Sequence, residues 1–519
     1  MNAQKQSWLT HRQSGVLAHI SSLPGAFGIG NIGAASARFV DFLADCGFHY
    51  WQICPAGPTG YGDSPYQSFS SHAGNPYFID LSKLVACGLL TEAEVEPLRA
   101  LSTESADYGG LYGLFEEILG RACERFDPQM GIPGFSLSWE DFVRQNNSWL
   151  KPYALFMGLK KLHAGKAWHQ WAPGFRNFAE INPRSLPAEV LQEQQRHMVF
   201  QYLFFNQWKV LRDYAHSKGI QIIGDVPIFV AHDSADVWQH PEVFRIRKDG
   251  SLIVSAGVPP DYFSESGQYW GNPLYDWHYL RQTGYLWWLD RLEGAFALYD
   301  VVRLDHFRAF SSYWEIPGGA PDAKSGQWLK GPGMDFFNAV FSRFPELRII
   351  AEDLGYIDQD VYDLRLQSGL PGMKVLQFGF GHDTNNVNLP HFYRRNSVVY
   401  TGTHDNDTTF GWLRKLDDHT SAQINDYFGA GESCNVRTLI RAAFLSVSYL
   451  AVIPMQDLLG LDSAARMNTP GTSQGNWQWR FTQQQLDAIR DEAVAYFQRL
   501  HRISDRCENG SQHEFSASP

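Results

Sequence analysis

Short runs rich in Val, Ile, Leu and Tyr recur along the chain, and most are followed by a stretch whose apolar residues return every three to four positions. Eight such runs are read as strands: VLAHI (16–20), HYWQIC (49–54), IQIIGDV (220–226), LYDVVRL (298–304), LRIIAE (347–352), MKVLQF (373–378), SVVYTGT (397–403) and YLAVIPM (449–455). Eight strands alternating with helices predict an α/β chain closed into a (β/α)8 barrel rather than an open sheet. The spacing between them is uneven. Between the second and third runs, segments such as LSKLVACGLLTEAEVEPL and SWEDFVRQNNSWLKPYALFMGLKKLHAG have helical period and predict a large, mostly helical insertion over about 80–195. Between the third and fourth, positions of about 231–297 include SAGVPPDYFSESGQYWGNPLYDW, whose Gly, Pro, Ser and aromatic content predicts a long ordered loop. One catalytic unit is expected over 1–506, and residues 507–519, CENGSQHEFSASP, have the composition of a disordered tail.

Composition narrows the choice of ligand. The 519 residues carry a formal net charge of -12 and no run of basic residues, which argues against nucleic acid and anionic membrane as partners. With 17 Trp, 23 Tyr and 35 Phe, the chain has material for a large core and for aromatic faces that grip a polar, uncharged ligand. Its six cysteines are scattered, with no C-x-x-C pair and no Cys/His metal spacing, and read as reduced thiols of a cytoplasmic protein. The N-terminus lacks an apolar signal region, and nowhere do 18 apolar residues run together, so neither that export route nor membrane spanning is expected.

Gly28-Ile29-Gly30-Asn31-Ile32-Gly33 fits the dinucleotide fingerprint G-x-G-x-x-G. However, SSLPGAF separates it from the first strand, and the second strand lacks the acid that would bind a ribose hydroxyl. The glycines are therefore expected to serve a turn and a helix start, and no organic cofactor is expected.

The stronger signal is the placement of acids at strand ends. Asp225 ends the third strand, Asp305 follows the fourth, Glu352 ends the fifth, Asp405 follows the seventh and Asp457 follows the eighth. In a barrel of this class that rim is the active-site face. A single acid there is ordinarily a helix cap, but five around one rim are harder to explain that way. Period-2 alternation puts Val301, Arg303 and Asp305 on one face, so Arg303 is expected to keep Asp305 ionised. A buried structural ion pair is the competing account. Glu352 follows the apolar run LRII and precedes Asp353, an environment able to raise its pKa. An ionised Asp facing a protonated Glu is what a retaining glycosidase needs. Asp405 lies in Thr403-His404-Asp405-Asn406-Asp407, small polar residues suited to gripping sugar hydroxyls. His306 and His404 could instead join Asp305 and Asp405 around a metal. The first strand ends Ala18-His19-Ile20-Ser21 without an H-x-H pair, so no metal is expected.

These residues lie within longer blocks, including GPTGYGDSPYQSFSSHAGNPYFIDL from Gly57, GDVPIFVAHDSADVW from Gly224, GVPPDYFSESGQYWGNPLY from Gly257, VRLDHFRAF from Val302, IAEDLG from Ile350, TGTHDNDTTFGW from Thr401 and ARMNTPGTSQGNWQWR from Ala465. In sequence and order the blocks resemble the 4-α-glucanotransferases called amylomaltase or disproportionating enzyme, relatives of the α-amylases, from about Gly15 to Arg480. The resemblance implies Asp305 as nucleophile, Glu352 as acid/base and Asp405 as transition-state stabiliser. It also implies that Asp225, Arg303, His306 and His404 complete a donor pocket, that Tyr66 stacks on the donor glucose with Ser64 close by, and that Gln268 and Trp270 belong to a loop covering the cleft. Tyr61 resembles a residue touching longer glucans at a secondary position. The implied partners are α-1,4-glucans, with glucose as acceptor. A hydrolytic α-glucosidase or debranching enzyme, a metal-dependent hydrolase and a catalytically silent glucan-binding protein remain as alternatives.

Overall fold

The computed structural model describes residues 7–60, 62–260, 265–381, 386–429, 434–472 and 474–507. Its twelve named strands are β1 (Gln13–Leu17), β2 (Tyr50–Gln52), β3 (Gln221–Val226), β4 (Val254–Val258), β5 (Gln268–Pro273), β6 (Val301–Leu304), β7 (Ser312–Pro317), β8 (Gln327–Lys330), β9 (Ile349–Ala351), β10 (Gly372–Val375), β11 (Ser397–Tyr400) and β12 (Leu450–Pro454). Eight of them close into a parallel barrel in the order β1-β12-β11-β10-β9-β6-β3-β2, so the expected (β/α)8 architecture is the observed one. The strands stop short of several expected ends. VLAHI, for example, leaves the ladder after Leu17, and Ile20–Ser22 forms a 3-10 turn on the rim. Apolar character persists there because the rim segments are still buried, although they no longer pair as strands.

Alternation divides the core in two. Leu17, Tyr50, Ile223, Val301, Ile350, Met373, Val398, Leu450 and Val452 share one buried cluster inside the barrel, with Leu9 packed among them. Their neighbours Val16, Trp51, Ile222, Val302, Ile349, Val399 and Ala451 belong to the larger cluster formed with the surrounding helices.

Between β2 and β3 the chain is mostly helical, and its longest members, Trp139–Leu162 and Ala188–Ser217, pack along each other. The second runs through position 195 and buries Phe204, Trp208 and Leu211, so the insertion and the barrel wall share one helix. The segment expected as a long loop instead contributes β4 and β5 to a four-stranded antiparallel sheet of order β5-β4-β7-β8. Its glycine hid the strand. A Cβ on Gly257 would overlap the carbonyl oxygen of Gln268, so this glycine permits close backbone approach between strands rather than a turn. Gly33 caps the helix Ala34–Cys46 in extended backbone, and Gly28 adopts φ 75, in keeping with a turn and a helix start at the G-x-G-x-x-G stretch.

Barrel closure is clamped from below by two arginines. Arg506, fully buried, donates to the carbonyls of Phe444 (2.9 Å), Gln13 (2.6 Å), Tyr449 (2.7 Å) and Ser448 (2.7 Å). Arg12 donates to those of Ser504, Ser446 and Phe444. Together they tie the seam between β1 and β12 to the end of the last helix. Residues 508–519 of the expected tail lie outside the described residues. Arg506→Met would remove the side-chain donor from the buried carbonyls of Gln13 and Ser448 and one of two donors from those of Phe444 and Tyr449, so urea unfolding of the variant is expected to show a loss of about 3 kcal/mol or more. An unchanged midpoint would mean that the seam closes without the clamp.

Candidate active site

Sheet register assembles the centre. Asp225 on β3 lies opposite Arg303 on β6, and Arg303 opposite Ile350 on β9, so parallel pairing sends Asp225, Arg303 and Glu352, two positions beyond Ile350, to the inner face. Arg303 Nη1 donates to Asp225 Oδ2 at 2.6 Å and to Asp305 Oδ1 at 3.0 Å. Arg303 and Asp225 are buried, whereas the Asp305 side chain remains 26% exposed and opens to the cleft. Burial pushes the Asp225 carboxyl up against the opposing pull of Arg303. Asp225 Oδ1 is buried with no hydrogen-bond partner among the described residues.

Glu352 is 8% exposed. Its Oε2 accepts from the His306 N–H at 2.6 Å and its Oε1 from the Leu354 N–H at 2.9 Å. His306 can offer that N–H because it adopts φ 50, ψ 51, a left-handed conformation costly for a residue with a Cβ. Burial pushes Glu352 up to about 8, and the negative charge of Asp305 adds to this, while Arg303 and the two backbone donors oppose it. Burial holds the His306 imidazole down to about 4, so it is neutral at pH 7.

A second group of side chains reaches in from the far rim. Tyr66 Oη donates to Asp225 Oδ2 at 2.8 Å and lies 2.9 Å from His404 Nε2, which then carries the proton. The Tyr66 and His404 rings stack at 5.3 Å, and His404 Nε2 lies 3.4 Å from Asp405 Oδ2. Ser64 Oγ accepts the Tyr66 N–H at 3.3 Å, so Ser64 shapes the turn presenting Tyr66. Gln268 Oε1 accepts from Trp270 Nε1 at 3.0 Å, and the Trp270 ring meets the edge of His306 at 5.0 Å. Tyr61 lies outside the described residues.

Asp457 does not belong to the centre in the way its rim position suggested. It is buried, and its carboxylate accepts from Thr401 Oγ1 (2.6 Å), Thr409 Oγ1 (2.6 Å) and Thr409 N–H (2.8 Å). It anchors the loop that carries His404 and Asp405. Conversely, three neighbours of Asp405 and His404 escaped the sequence reading. Asn468 Nδ2 donates to Asp405 Oδ1 at 2.6 Å, Arg466 Nη2 donates to the Asp405 carbonyl at 2.6 Å, and Trp477 packs against both Tyr66 and His404. All three lie in the block ARMNTPGTSQGNWQWR, but no periodicity marks them out among its polar residues. Among the described residues no group of three or more His, Cys, Asp or Glu could hold a metal, and no helix is long and apolar enough to cross a membrane.

Known proteins match this chain over nearly its full length. The family described as 4-alpha-glucanotransferase matches residues 18–485. The 4-alpha-glucanotransferase of Streptococcus pneumoniae (strain TIGR4) is 45% identical over 502 residues, covering 95% of this chain and 97% of that protein. That of Thermus thermophilus is 46% identical over 478 residues, covering 90% and 94%. Among solved structures, the amylomaltase from Streptococcus agalactiae in complex with acarbose superposes with a TM-score of 0.90 at 37% identity, covering 96% of this chain and all of that one.

The Glu352 carboxyl carbon, followed by 13C NMR, is expected to titrate near 8 and to move to lower pH in Asp305→Asn, which removes a neighbouring negative charge. Titration in the ordinary carboxylate range in both proteins would remove the basis for a protonated acid at neutral pH.

Proposed function

The chain belongs to the family of 4-alpha-glucanotransferases, and we propose that it performs this family's transfer of α-1,4-glucan segments through a covalent intermediate on Asp305. The observation that carries this reading is the unequal pair at the barrel mouth, an accessible Asp305 held by Arg303 beside a buried Glu352 whose pKa is raised to about 8. With Oδ1 held by Arg303, Oδ2 attacks the anomeric carbon of the donor. Glu352 gives its proton to the glycosidic oxygen, that C–O bond breaks, and the fragment beyond it leaves with a new 4-hydroxyl. Glu352, now a carboxylate, then takes the proton from the 4-hydroxyl of an incoming glucan or glucose. The acceptor oxygen bonds to the anomeric carbon, and the bond to Asp305 breaks, so two inversions give retention.

Asp405 and Asp225, both tied into the Tyr66 and His404 group, are assigned to the hydroxyls of the donor sugar, with Asp225 Oδ1 as an acceptor already free of protein partners. Their bonds strengthen as positive charge develops at the anomeric carbon. Gln268 and Trp270 on β5 are assigned to covering the cleft, where excluding water favours an acceptor sugar over hydrolysis. Tyr61 is assigned to a secondary glucan contact on its resemblance alone. No step draws on a metal or an organic cofactor. The six cysteines are free thiols, which supports a reducing, cytoplasmic setting.

Maltotriose is expected to yield glucose together with oligomers longer than itself. Asp305→Asn, still folded by circular dichroism, should lose activity by a factor on the order of 10^4. Glucose and maltose as sole products would make the enzyme a hydrolase, and full activity in the variant would take the nucleophile role from Asp305. Transfer measured in excess EDTA should equal that in its absence, whereas activity lost to the chelator and restored by a divalent cation would return the chemistry to a metal.

A further inference from the structure

Just outside the catalytic pair lies an aromatic platform that the mechanism leaves unused. Arg308 stands three residues beyond Asp305, in the 3-10 turn Phe307–Phe310, and Tyr356 stands four residues beyond Glu352. Trp328 reaches the same place from β8, at the end of the antiparallel sheet. The Arg308 guanidinium sits 3.8 Å from the centre of the Trp328 ring and 5.8 Å from that of Tyr356. Arg308 itself is buried, and Nη2 donates to Asp358 Oδ2 at 2.8 Å. Its Nε and Nη1 are buried with no hydrogen-bond partner among the described residues, so beyond the Asp358 ion pair the guanidinium has the two aromatic faces as neighbours. Trp328 is further fixed edge-on against Trp314 at 5.2 Å. Both rings are nonetheless open to solvent, Trp328 at 38% and Tyr356 at 75% exposure.

Two exposed rings, one of them held at a set angle by a buried cation and a second tryptophan, are unusual for a surface with no partner to meet. Ordering a side chain before binding lowers the entropy cost of binding, and aromatic faces are the side chains that pack against the C–H faces of a neutral sugar. The location decides which sugar. Glu352 protonates the oxygen of the departing fragment, so departing and incoming glucans lie on its side of the cleaved bond. Tyr356 lies on Glu352's own loop after β9, whereas the groups assigned to the donor, Tyr66 and His404, interlock at Asp225 on β3, which flanks β6 on the side away from β9.

The geometry points to Trp328 and Tyr356 as a glucan-stacking subsite for the acceptor, several sugars beyond the bond being made, with Arg308 as its positioning residue. This rests on the transferase reading of the centre. The subsite favours long acceptors over glucose, because glucose is too short to reach it while it occupies the reactive position.

The test uses α-maltosyl fluoride as donor, since fluoride leaves without placing any sugar on the acceptor side, and compares glucose with maltotetraose as acceptor. In Trp328→Ala and Tyr356→Ala the KM for maltotetraose is expected to rise relative to that for glucose by about fivefold or more. Trp328→Phe, which keeps a ring, should recover most of the preference. A KM ratio equal to wild type in both alanine variants, with unchanged thermal unfolding, overturns the proposal, as does an equal rise for both acceptors. If the wild-type protein transfers to neither acceptor, the transferase reading fails instead. Maltoheptaose binding, followed by tryptophan fluorescence, then decides the platform. Weaker binding in Tyr356→Ala keeps it, and equal binding removes it.

Discussion

The arrangement turns on one buried cation. Arg303 lies inside the barrel, where an unpaired guanidinium would cost several kcal/mol to desolvate, and it is stable there because Asp225 and Asp305 both accept from Nη1. Three carboxyls, Asp225, Asp305 and Glu352, surround this one positive charge. If all three were ionised the group would be left with excess negative charge in a poorly solvated space. The proton that relieves this excess goes to Glu352, the acid that burial penalises most visibly and that has no ion pair of its own among the described residues. Asp305, partly open and held by Arg303, is left for the role of nucleophile proposed above. The proposed division between acid and nucleophile thus rests on charge balance around Arg303, before any substrate is bound.

That balance depends on strand register. Asp225 opposite Arg303, and Leu304 opposite Ala351, place the inward-facing acids side by side on three neighbouring strands. A slip of one residue in any of these pairings would turn an acid to the outer, apolar layer of the barrel. The inner apolar cluster below the acids and the arginine clamp at the seam therefore hold the chemistry as well as the fold. From Asp225 the linkage continues through Tyr66 and His404 to Asp405, joining loops far apart in sequence.

Much of this was legible in the sequence because barrel strands are buried on both faces and announce themselves as apolar runs, and because rim acids follow those runs directly. What escaped has physical reasons. β4 and β5 pair antiparallel with Gly257 allowing close approach of the strands, so a stretch rich in Gly and Pro imitates a loop although β4 is largely buried. Arg506 donates its hydrogen bonds among the described residues to carbonyls, which no side-chain pattern can announce. Asp457 shares the rim position of the other acids, but the threonines that claim its oxygens lie 48 and 56 residues away in sequence. Asn468 and Trp477 meet Asp405 and His404 only through folding, in a segment without regular period.

The turn from Asp305 to Arg308 concentrates what the fold tolerates for the sake of this site. Within four residues it holds a carboxyl group facing the cleft, a histidine in left-handed backbone, and a buried guanidinium with two nitrogens that find no hydrogen-bond partner among the described residues. Each feature is unfavourable by itself, and each orients something different. The strained His306 N–H holds the carboxyl of Glu352 and Arg308 holds the aromatic ring of Trp328, while Arg303, on the strand just before the turn, holds Asp305. Because one short turn carries both His306 and Arg308, a shift that relaxed His306 would move the Glu352 hydrogen bond and the aromatic platform together. The surrounding barrel has to be rigid enough to prevent that relaxation, which accounts for acids placed directly at the ends of core strands rather than on longer, freer loops.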